Sequence, residues 1–344
     1  MSVPAFELAP ALEASEPPEA RGLARDEVRL MVAHRKTGEI VHTRFRELPA
    51  HLDPGDLLIV NTSATLPAAV AAVHAGAPIE LRFATRAPDE GEDRYVVELR
   101  RAGGKAPLRA GRAGERIALP GEARLELIAR YRGSERLWLA RVQLPEPIHR
   151  YLRRHGRPIR YGYVPGRWPL SAYQTAYAVE PGSAEMPSAG RPFTPRLLTR
   201  LLAHGVLVAP LVLHTGVSSP ERHEPPYPER FAVPVTTARL VNAVRGWGGR
   251  VIAVGTTVVR ALETVAAPDG TVRADNGWTD LVISGDRGLR TVAGMITGWH
   301  EPLATHLQML DALAGESFVE RCYASALDQR YLWHEFGDSH LILP

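Results

Sequence analysis

Between the apolar run at 250–254 and the helical pattern at 258–266, the chain passes through Gly255–Thr256–Thr257. A glycine at such a junction lets a ligand approach the backbone. The first turn of a helix adds N–H groups without internal acceptors and the positive end of the helix dipole. A carboxylate, a phosphate or a ribose hydroxyl suits that place, although a plain structural cap fits the same residues. The element has neither the dinucleotide glycine fingerprint nor the phosphate-loop lysine. Three more polar residues, His214, Asp280 and His300, stand at the ends of apolar strand-like runs, where open α/β sheets hold their ligands. Histidine moves protons near neutral pH, and a carboxylate at a strand mouth steadies a cation or orients a hydroxyl. Each is equally compatible with a satisfied structural role. Arg260 and Glu263 lie three apart on one helix face, the spacing of an ion pair.

A second stretch is dense in rings, small residues and backbone donors: Tyr173–Gln174–Thr175–Ala176–Tyr177, then Gly182–Ser183, then Pro187–Ser188–Ala189–Gly190–Arg191–Pro192–Phe193–Thr194. Such a loop can hold an adenine between rings and amides, while turn chemistry accounts for the glycines and prolines equally well. Upstream, residues 147–179 carry Arg150, Arg153, Arg154, Arg157, Arg160 and Arg167 without one Asp or Glu, interleaved with Tyr161, Tyr163 and Trp168. That segment reads either as a solvated connector or as a surface for RNA phosphates with stacking groups beside them. The 13 histidines form no HExxH or other tight ligand spacing, so no dedicated metal site is expected. No GxSxG elbow occurs, which argues against a serine hydrolase of that type. The single cysteine, Cys322, leaves no internal disulfide framework and no multi-cysteine cluster, and suits a small buried apolar residue.

The elements that must position these groups follow from patterning. With 344 residues, 45% hydrophobic and 23% charged, the chain has the composition of a globular protein and the length of two domains. An alternating run at 39–45 and a short apolar run at 56–60 read as strands. From 68 to 142, short alternating segments at 79–83, 95–99, 124–128 and 137–142 between Gly, Pro and charged turns suggest a small barrel or sandwich. Beyond 187, helices alternate with apolar strands, the pattern of an α/β layer architecture. Thr194–Pro195 starts a helix with Leu197, Leu198, Leu201 and Leu202 as its stripe and Gly205 as its end. Strands are expected at 206–214, 250–254, 280–284 and 291–296, with helices at 258–266, 304–314 and 318–329. No apolar run long enough to span a membrane and no signal-peptide pattern at Met1–Pro10 is present, so a cytoplasmic location is expected. The net charge of +3 permits nucleic-acid binding without requiring it.

Taken in order, the pieces resemble the S-adenosylmethionine:tRNA ribosyltransferase-isomerase family, which builds the epoxycyclopentane group of epoxyqueuosine on a tRNA base. The marks include Pro54–Gly55–Asp56–Leu57–Leu58, Tyr173–Gln174–Thr175 with Tyr177, Gly182–Ser183, Pro187, Ala189–Gly190, Phe193–Thr194 and Leu213–His214. Val254–Gly255–Thr256–Thr257 with Arg260 and Glu263, Thr279–Asp280, Ile296–Thr297, His300, Pro302, and Tyr331 with Gly337–Asp338 complete them. The resemblance implies a larger α/β domain, residues 1–67 and 148–344, with a small β-barrel domain inserted at 68–147.

It implies S-adenosylmethionine as cosubstrate, tRNA as partner, and chemistry without a metal. The sulfonium acidifies the neighbouring 5′ carbon and makes methionine a good leaving group, while adenine departs from the other end of the ribose. His214, Asp280 and His300 become candidates for proton handling and charge stabilisation. Tyr173, Gln174, Thr175, Ser183, Pro187, Ala189, Gly190, Phe193, Gly255, Thr256, Thr257, Arg260, Glu263, Thr279 and Thr297 become candidates for the cosubstrate site. Asn61, Arg153, Arg154, Arg157 and Arg160 become candidates for the acceptor and its RNA. Four motifs depart from the family pattern. Asn61–Thr62–Ser63–Ala64 replaces Asn-Asp-Thr-Arg, and Ser188–Ala189–Gly190–Arg191–Pro192–Phe193 replaces Thr-Ala-Gly-Leu-His-Phe. Thr215–Gly216–Val217–Ser218–Ser219–Pro220 stands for a glycine-rich segment, and Gly298–Trp299–His300–Glu301–Pro302 for Asn-Phe-His-Leu-Pro. An enzyme using the same cosubstrate on another, possibly small-molecule, acceptor and a catalytically silent RNA-binding relative stay open as alternatives.

Overall fold

The computed structural model describes residues 6–88, 90–217, 227–302, 304 and 306–344. Its larger part is a mixed sheet of nine strands. The spatial order is Asp275–Thr279, Glu229–Val233, Leu207–Leu213, Leu57–Asn61, Val251–Val254, Gly294–Gly298, Ser339–Leu343, Arg29–His34 and Glu39–Arg44. The central four, from Leu207–Leu213 to Gly294–Gly298, run parallel, and Ser339–Leu343 runs antiparallel to the last of them.

Strand periodicity explains why both faces are covered. Met31, Ala33, Leu57, Ile59, Ala253, Met295 and Ile342 point into one core with the helices Val235–Gly246, Thr256–Thr264, His306–Ala314 and Glu316–Asp328. Their alternates Leu30, Val32, Leu58, Val60, Ile252, Ile296 and Leu341 face the other core, closed by the helix Pro195–Ala203 and by Phe45 and Leu48. Each such fully buried aliphatic side chain contributes roughly 1.5–3 kcal/mol. The helix Pro195–Ala203 starts as its sequence predicts: the Thr194 hydroxyl accepts from the Leu197 N–H at 3.1 Å, and Pro195 occupies the first turn.

The smaller part is a barrel. Ala69–His74, Ala77–Arg86, Arg94–Arg101, Leu137–Gln143, Arg124–Arg130 and Arg116–Ala118 pair in that order, and Val73 pairs with Ala118 to close the ring. Val70, Leu81, Val97, Leu99, Ile117, Leu125 and Leu127 fill it. Tyr151, Leu152 and Ile159 join the same core, and Gly156–Arg157 adds a short strand to Ala69–Val70, so the barrel's packing reaches past residue 147. A two-stranded ladder of Ser63–Thr65 with Glu180–Ser183 ties the entry into the barrel to the chain returning from it.

Two expected strands sit elsewhere. Asp275–Thr279 is the strand that was expected at 280–284, while Leu281 and Ile283 pack on the core without a ladder. Its sequence Asp-Asn-Gly-Trp-Thr is too polar to signal a strand, because it is an outer strand of the sheet. The strand expected at 291–296 is Gly294–Gly298. A Cβ on Gly294 would lie 2.8 Å from the Ile342 carbonyl, so the neighbouring backbone passes too close for a side chain. Among the described residues no helix is long and apolar enough to cross a membrane.

Candidate active site

The four parallel strands deliver their carboxyl ends to one edge of the sheet, the edge at which open α/β folds bind ligands. Ser339–Leu343 runs the other way, so the turn that precedes it, with His334 and Glu335, comes to the same edge. There a cavity of about 370 Å³ opens between the sheet and the barrel, a size that accommodates a small-molecule ligand. The barrel and the segment after it supply Ala84, Val96, Leu137, Ile159, Tyr161 and Tyr163, and the sheet side supplies Gly255–Thr256–Thr257, Arg260 and Thr297 to Glu301.

Gly255 has φ +95°, a conformation that favours glycine, and a Cβ there would sit 3.4 Å from Ala189. The turn thus brings the first residues of the helix Thr256–Thr264 onto the cavity wall beside Pro187 and Ala189. The first-turn N–H groups and dipole of that helix favour an anionic or hydroxyl-bearing ligand.

Proton-handling groups line the rest. His300 Nε2 and the Thr297 hydroxyl hydrogen-bond at 2.8 Å, and the His300 ring stacks on His306 at 4.7 Å. Burial, with His306 nearby, holds His300 well below its ordinary pKa, and burial and Arg260 hold His306 at about 4. Both imidazoles are therefore neutral at neutral pH, and either can accept a proton or a hydrogen bond. On the other wall, the Tyr161 hydroxyl donates to Glu185, and the Tyr163 hydroxyl donates to Glu335 Oε2 at 2.6 Å. Burial, opposed by the Tyr163 bond, pushes Glu335 up to about 7. Arg260 pairs with Glu229 and also donates to the Thr279 and Leu281 carbonyls at 3.1 and 3.2 Å.

The predicted residues divide into a cavity set and a supporting set. Tyr173, Pro187, Ala189, Gly255, Thr256, Thr257, Arg260, Thr297 and His300 line the cavity. His214 does not: its Nδ1 bonds the Ser63 hydroxyl at 2.7 Å, Ser63 bonds Ser183 at 2.6 Å, and burial lowers the His214 pKa to about 4. Ser183 also accepts from the Thr215 N–H at 3.0 Å. Gln174 clamps Thr65 through both backbone groups at 2.9 and 2.8 Å. Thr175 is buried, Gly190 packs under the Tyr177 hydroxyl, and Phe193 meets Phe45 edge-on in the core. Thr279 is hydrogen-bonded to Thr264 at 2.6 Å.

Three of the candidates stand apart from the cavity lining. The Asp280 side chain is 68% exposed and faces Arg132 at 3.6 Å, because the strand ends before it and turns it outward. Glu263 pairs not with Arg260 but with Arg287 at 3.0 Å, and accepts the N–H groups of Arg290 and Thr291 at 3.0 and 2.9 Å. Asn61 is 1% exposed: its amide binds the Leu213 carbonyl at 2.8 Å and its oxygen accepts from Ser63 and Leu213, so it holds two strand ends together.

The basic segment also divides. Arg153 and Arg157 are exposed. Arg154 is paired with Glu146 at 3.2 Å, and Arg160 donates to the carbonyls of Pro165 and Gly166. Tyr161 and Tyr163, expected as stacking groups for RNA, are stacked on each other in the cavity wall. Of the altered motifs, Ser63 lies in the His214 network, and Arg191 is buried with Glu19 at 2.8 Å and the Ala172 carbonyl at 2.8 Å. Ser218–Ser219–Pro220 lie outside the described residues. Titratable cavity residues that the sequence did not single out include His306, His334, Glu185, Glu229 and Glu335. The signal for two of them was the turn before Gly337–Asp338, where a Cβ on Gly337 would meet the Leu332 carbonyl at 2.3 Å.

The S-adenosylmethionine:tRNA ribosyltransferase-isomerase of Moorella thermoacetica is 37% identical over 98% of both chains, and that of Thermotoga maritima is 36% identical over 98% of both. The crystal structure of the S-adenosylmethionine tRNA ribosyltransferase from Thermotoga maritima aligns over 99% of this chain and 100% of its own, with a TM-score of 0.55 and 31% identity. The profile of the queuosine biosynthesis protein family matches residues 2–342, and the chain belongs to that family.

Proposed function

We propose that this chain transfers and isomerises the ribosyl group of S-adenosylmethionine onto 7-aminomethyl-7-deazaguanine in tRNA, giving epoxyqueuosine-tRNA and releasing adenine and methionine. Full-length similarity to enzymes of that name supports the reaction. The observation that carries it to a site is the cavity between sheet and barrel, where a helix N-terminus, two neutral histidines and two tyrosine-bound carboxylates meet.

Each group has work in this reaction. The 5′ carbon beside the sulfonium must lose a proton, which His300 accepts as a neutral base oriented by Thr297. The Glu185 carboxylate on the opposite wall favours the sulfonium cation. Thr256 and Thr257 hold ribose hydroxyls or the methionine carboxylate at the start of their helix. His214, Ser63, Ser183 and Asn61 fix the strand ends from behind, which is where near-attack geometry is set. Arg153 and Arg157, exposed on the segment after the barrel, are cations offered to the tRNA backbone, and the reaction takes place in the cytoplasm.

Single-turnover incubation with S-adenosylmethionine and tRNA bearing 7-aminomethyl-7-deazaguanine tests the reading. Equimolar adenine and methionine, released only when that tRNA is present, support it. Release with a different acceptor points to the same chemistry on another molecule. No release under any condition identifies a silent relative.

A further inference from the structure

Glu335 sits at the cavity wall beside three flat rings that lie nearly parallel. Tyr161 and Tyr163 are 5.8 Å apart at 15°, and Tyr163 and His334 are 3.9 Å apart at 10°. The Tyr163 hydroxyl donates to Oε2, which leaves Oε1 to carry a proton. These rings pack on one another and, through the Tyr163 hydroxyl, fix the Glu335 carboxyl at the cavity wall.

Among the described residues the cavity holds few groups able to give up a proton. His300 and His306 are neutral and serve as acceptors. Glu229 is ion-paired with Arg260, Glu185 takes the Tyr161 hydroxyl, and Glu301 is exposed. We propose that Glu335, held by Tyr163, is the acid that protonates adenine as its bond to the ribose breaks, an inference that rests on the reaction proposed above. As that C–N bond breaks, its electron pair goes to the purine. The Glu335 O–H bond breaks with its pair staying on the carboxylate, and the proton joins a purine nitrogen. The proton lost by the acceptor's aminomethyl group, as its nitrogen bonds to the ribosyl skeleton, restores the carboxyl.

The groups facing Glu335 are consistent with a carboxyl kept partly protonated at neutral pH. Burial and the Glu185 carboxylate raise its pKa, to about 7, while the Tyr163 hydroxyl and Arg191 lower it. His334 beside it is held at about 4 by burial, and meets Glu13 at 3.5 Å, so it adds no cation there.

The test uses Glu335→Gln and Tyr163→Phe in the full chain, reading single-turnover adenine release against pH, S-adenosylmethionine binding by calorimetry, and solvent exchange of the 5′ hydrogens. Wild-type release falls as pH rises through about 7. Glu335→Gln should release adenine roughly 10² to 10⁴ more slowly with no such limb, yet bind the cosubstrate and exchange its 5′ hydrogens as before. Tyr163→Phe removes a donor to the carboxylate and should move the falling limb to higher pH, which tests the proposal even if the glutamine variant does not fold. Near-normal release by Glu335→Gln, a rate that climbs through pH 7, or a limb unmoved by Tyr163→Phe overturns the proposal alone. A wild-type protein that releases no adenine with this tRNA overturns the reaction reading, and the proposal with it.

Discussion

Replacing Gly182 by Ala tests whether His214 is held in place as the structure requires. Gly182 lies at the irregularity of the short ladder between Ser63–Thr65 and Glu180–Ser183. A Cβ there would stand 2.4 Å from Nδ1 and Cε1 of His214 and 2.6 Å from its Cγ. Carbon contacts need about 3.5 Å, so the ring must move by roughly 1 Å, and the 2.7 Å bond from Nδ1 to Ser63 cannot survive that shift. Overpacking costs about 1–3 kcal/mol and the lost hydrogen bond about 0.5–1.5, so Gly182→Ala should destabilise the fold by roughly 2–4 kcal/mol. In a His214→Ala background the space exists, and the same substitution should cost about 1 kcal/mol or less. Urea unfolding of the four proteins in this cycle gives the coupling, expected at about 1.5–3 kcal/mol. A coupling near zero would refute the packing argument and free His214 for a role at the cavity surface.

Other consequences follow from the same geometry. His300→Ala should lower single-turnover release of adenine and methionine by about 10² to 10⁴, whereas Asp280→Asn, exposed and outside the cavity, should stay near wild type; equal impairment would reinstate Asp280. Replacing Arg153 and Arg157 together by Ala should reduce the salt slope of tRNA binding by up to about two units, and Arg154→Ala or Arg160→Ala should change it little because both are engaged within the chain. His340 is fully buried against Trp299 at 4.7 Å, has no hydrogen-bond partner among the described residues, and is held at about 3 by burial. The unfolded chain binds this proton below about 6.5 and the folded chain does not, so stability is lost from about pH 6.5 down to about 3, at roughly 1.4 kcal/mol per unit. In His340→Leu, urea titrations at pH 6 and pH 4.5 should show that slope reduced by about one proton; an unchanged slope would mean the ring is charged in the folded state.

Much of this fold was legible because it obeys short-range rules. The apolar run at 57–60, buried on both faces, and the capped helix at Thr194 identify themselves, since apolar runs and helix caps are written in adjacent residues. The turn Gly255–Thr256–Thr257 was readable for the same reason. What sequence could not give was the side of the wall each residue occupies. His214 and His300 both follow apolar strands, yet one is bonded to Ser63 behind the cavity and the other lines it. Glu335 and Tyr163 are 172 residues apart and gain their roles only when the last strand returns antiparallel. Gly182 and Gly190 read as turn residues, but each is small because a ring occupies the space of its side chain. The altered Arg191 looked like a lost recognition group and is instead a buried partner of Glu19.

The most direct test of the central claim follows the carbon of the cosubstrate. The protein is incubated with S-adenosylmethionine whose ribose is fully carbon-13-labelled and tRNA carrying 7-aminomethyl-7-deazaguanine, and the digested nucleosides are weighed by mass spectrometry. The account predicts an epoxyqueuosine nucleoside that has gained every labelled ribose carbon, with unlabelled adenine and methionine released in equal amounts. An unmodified base, or label recovered only in a nucleoside or thioether that never joined the tRNA, would contradict it.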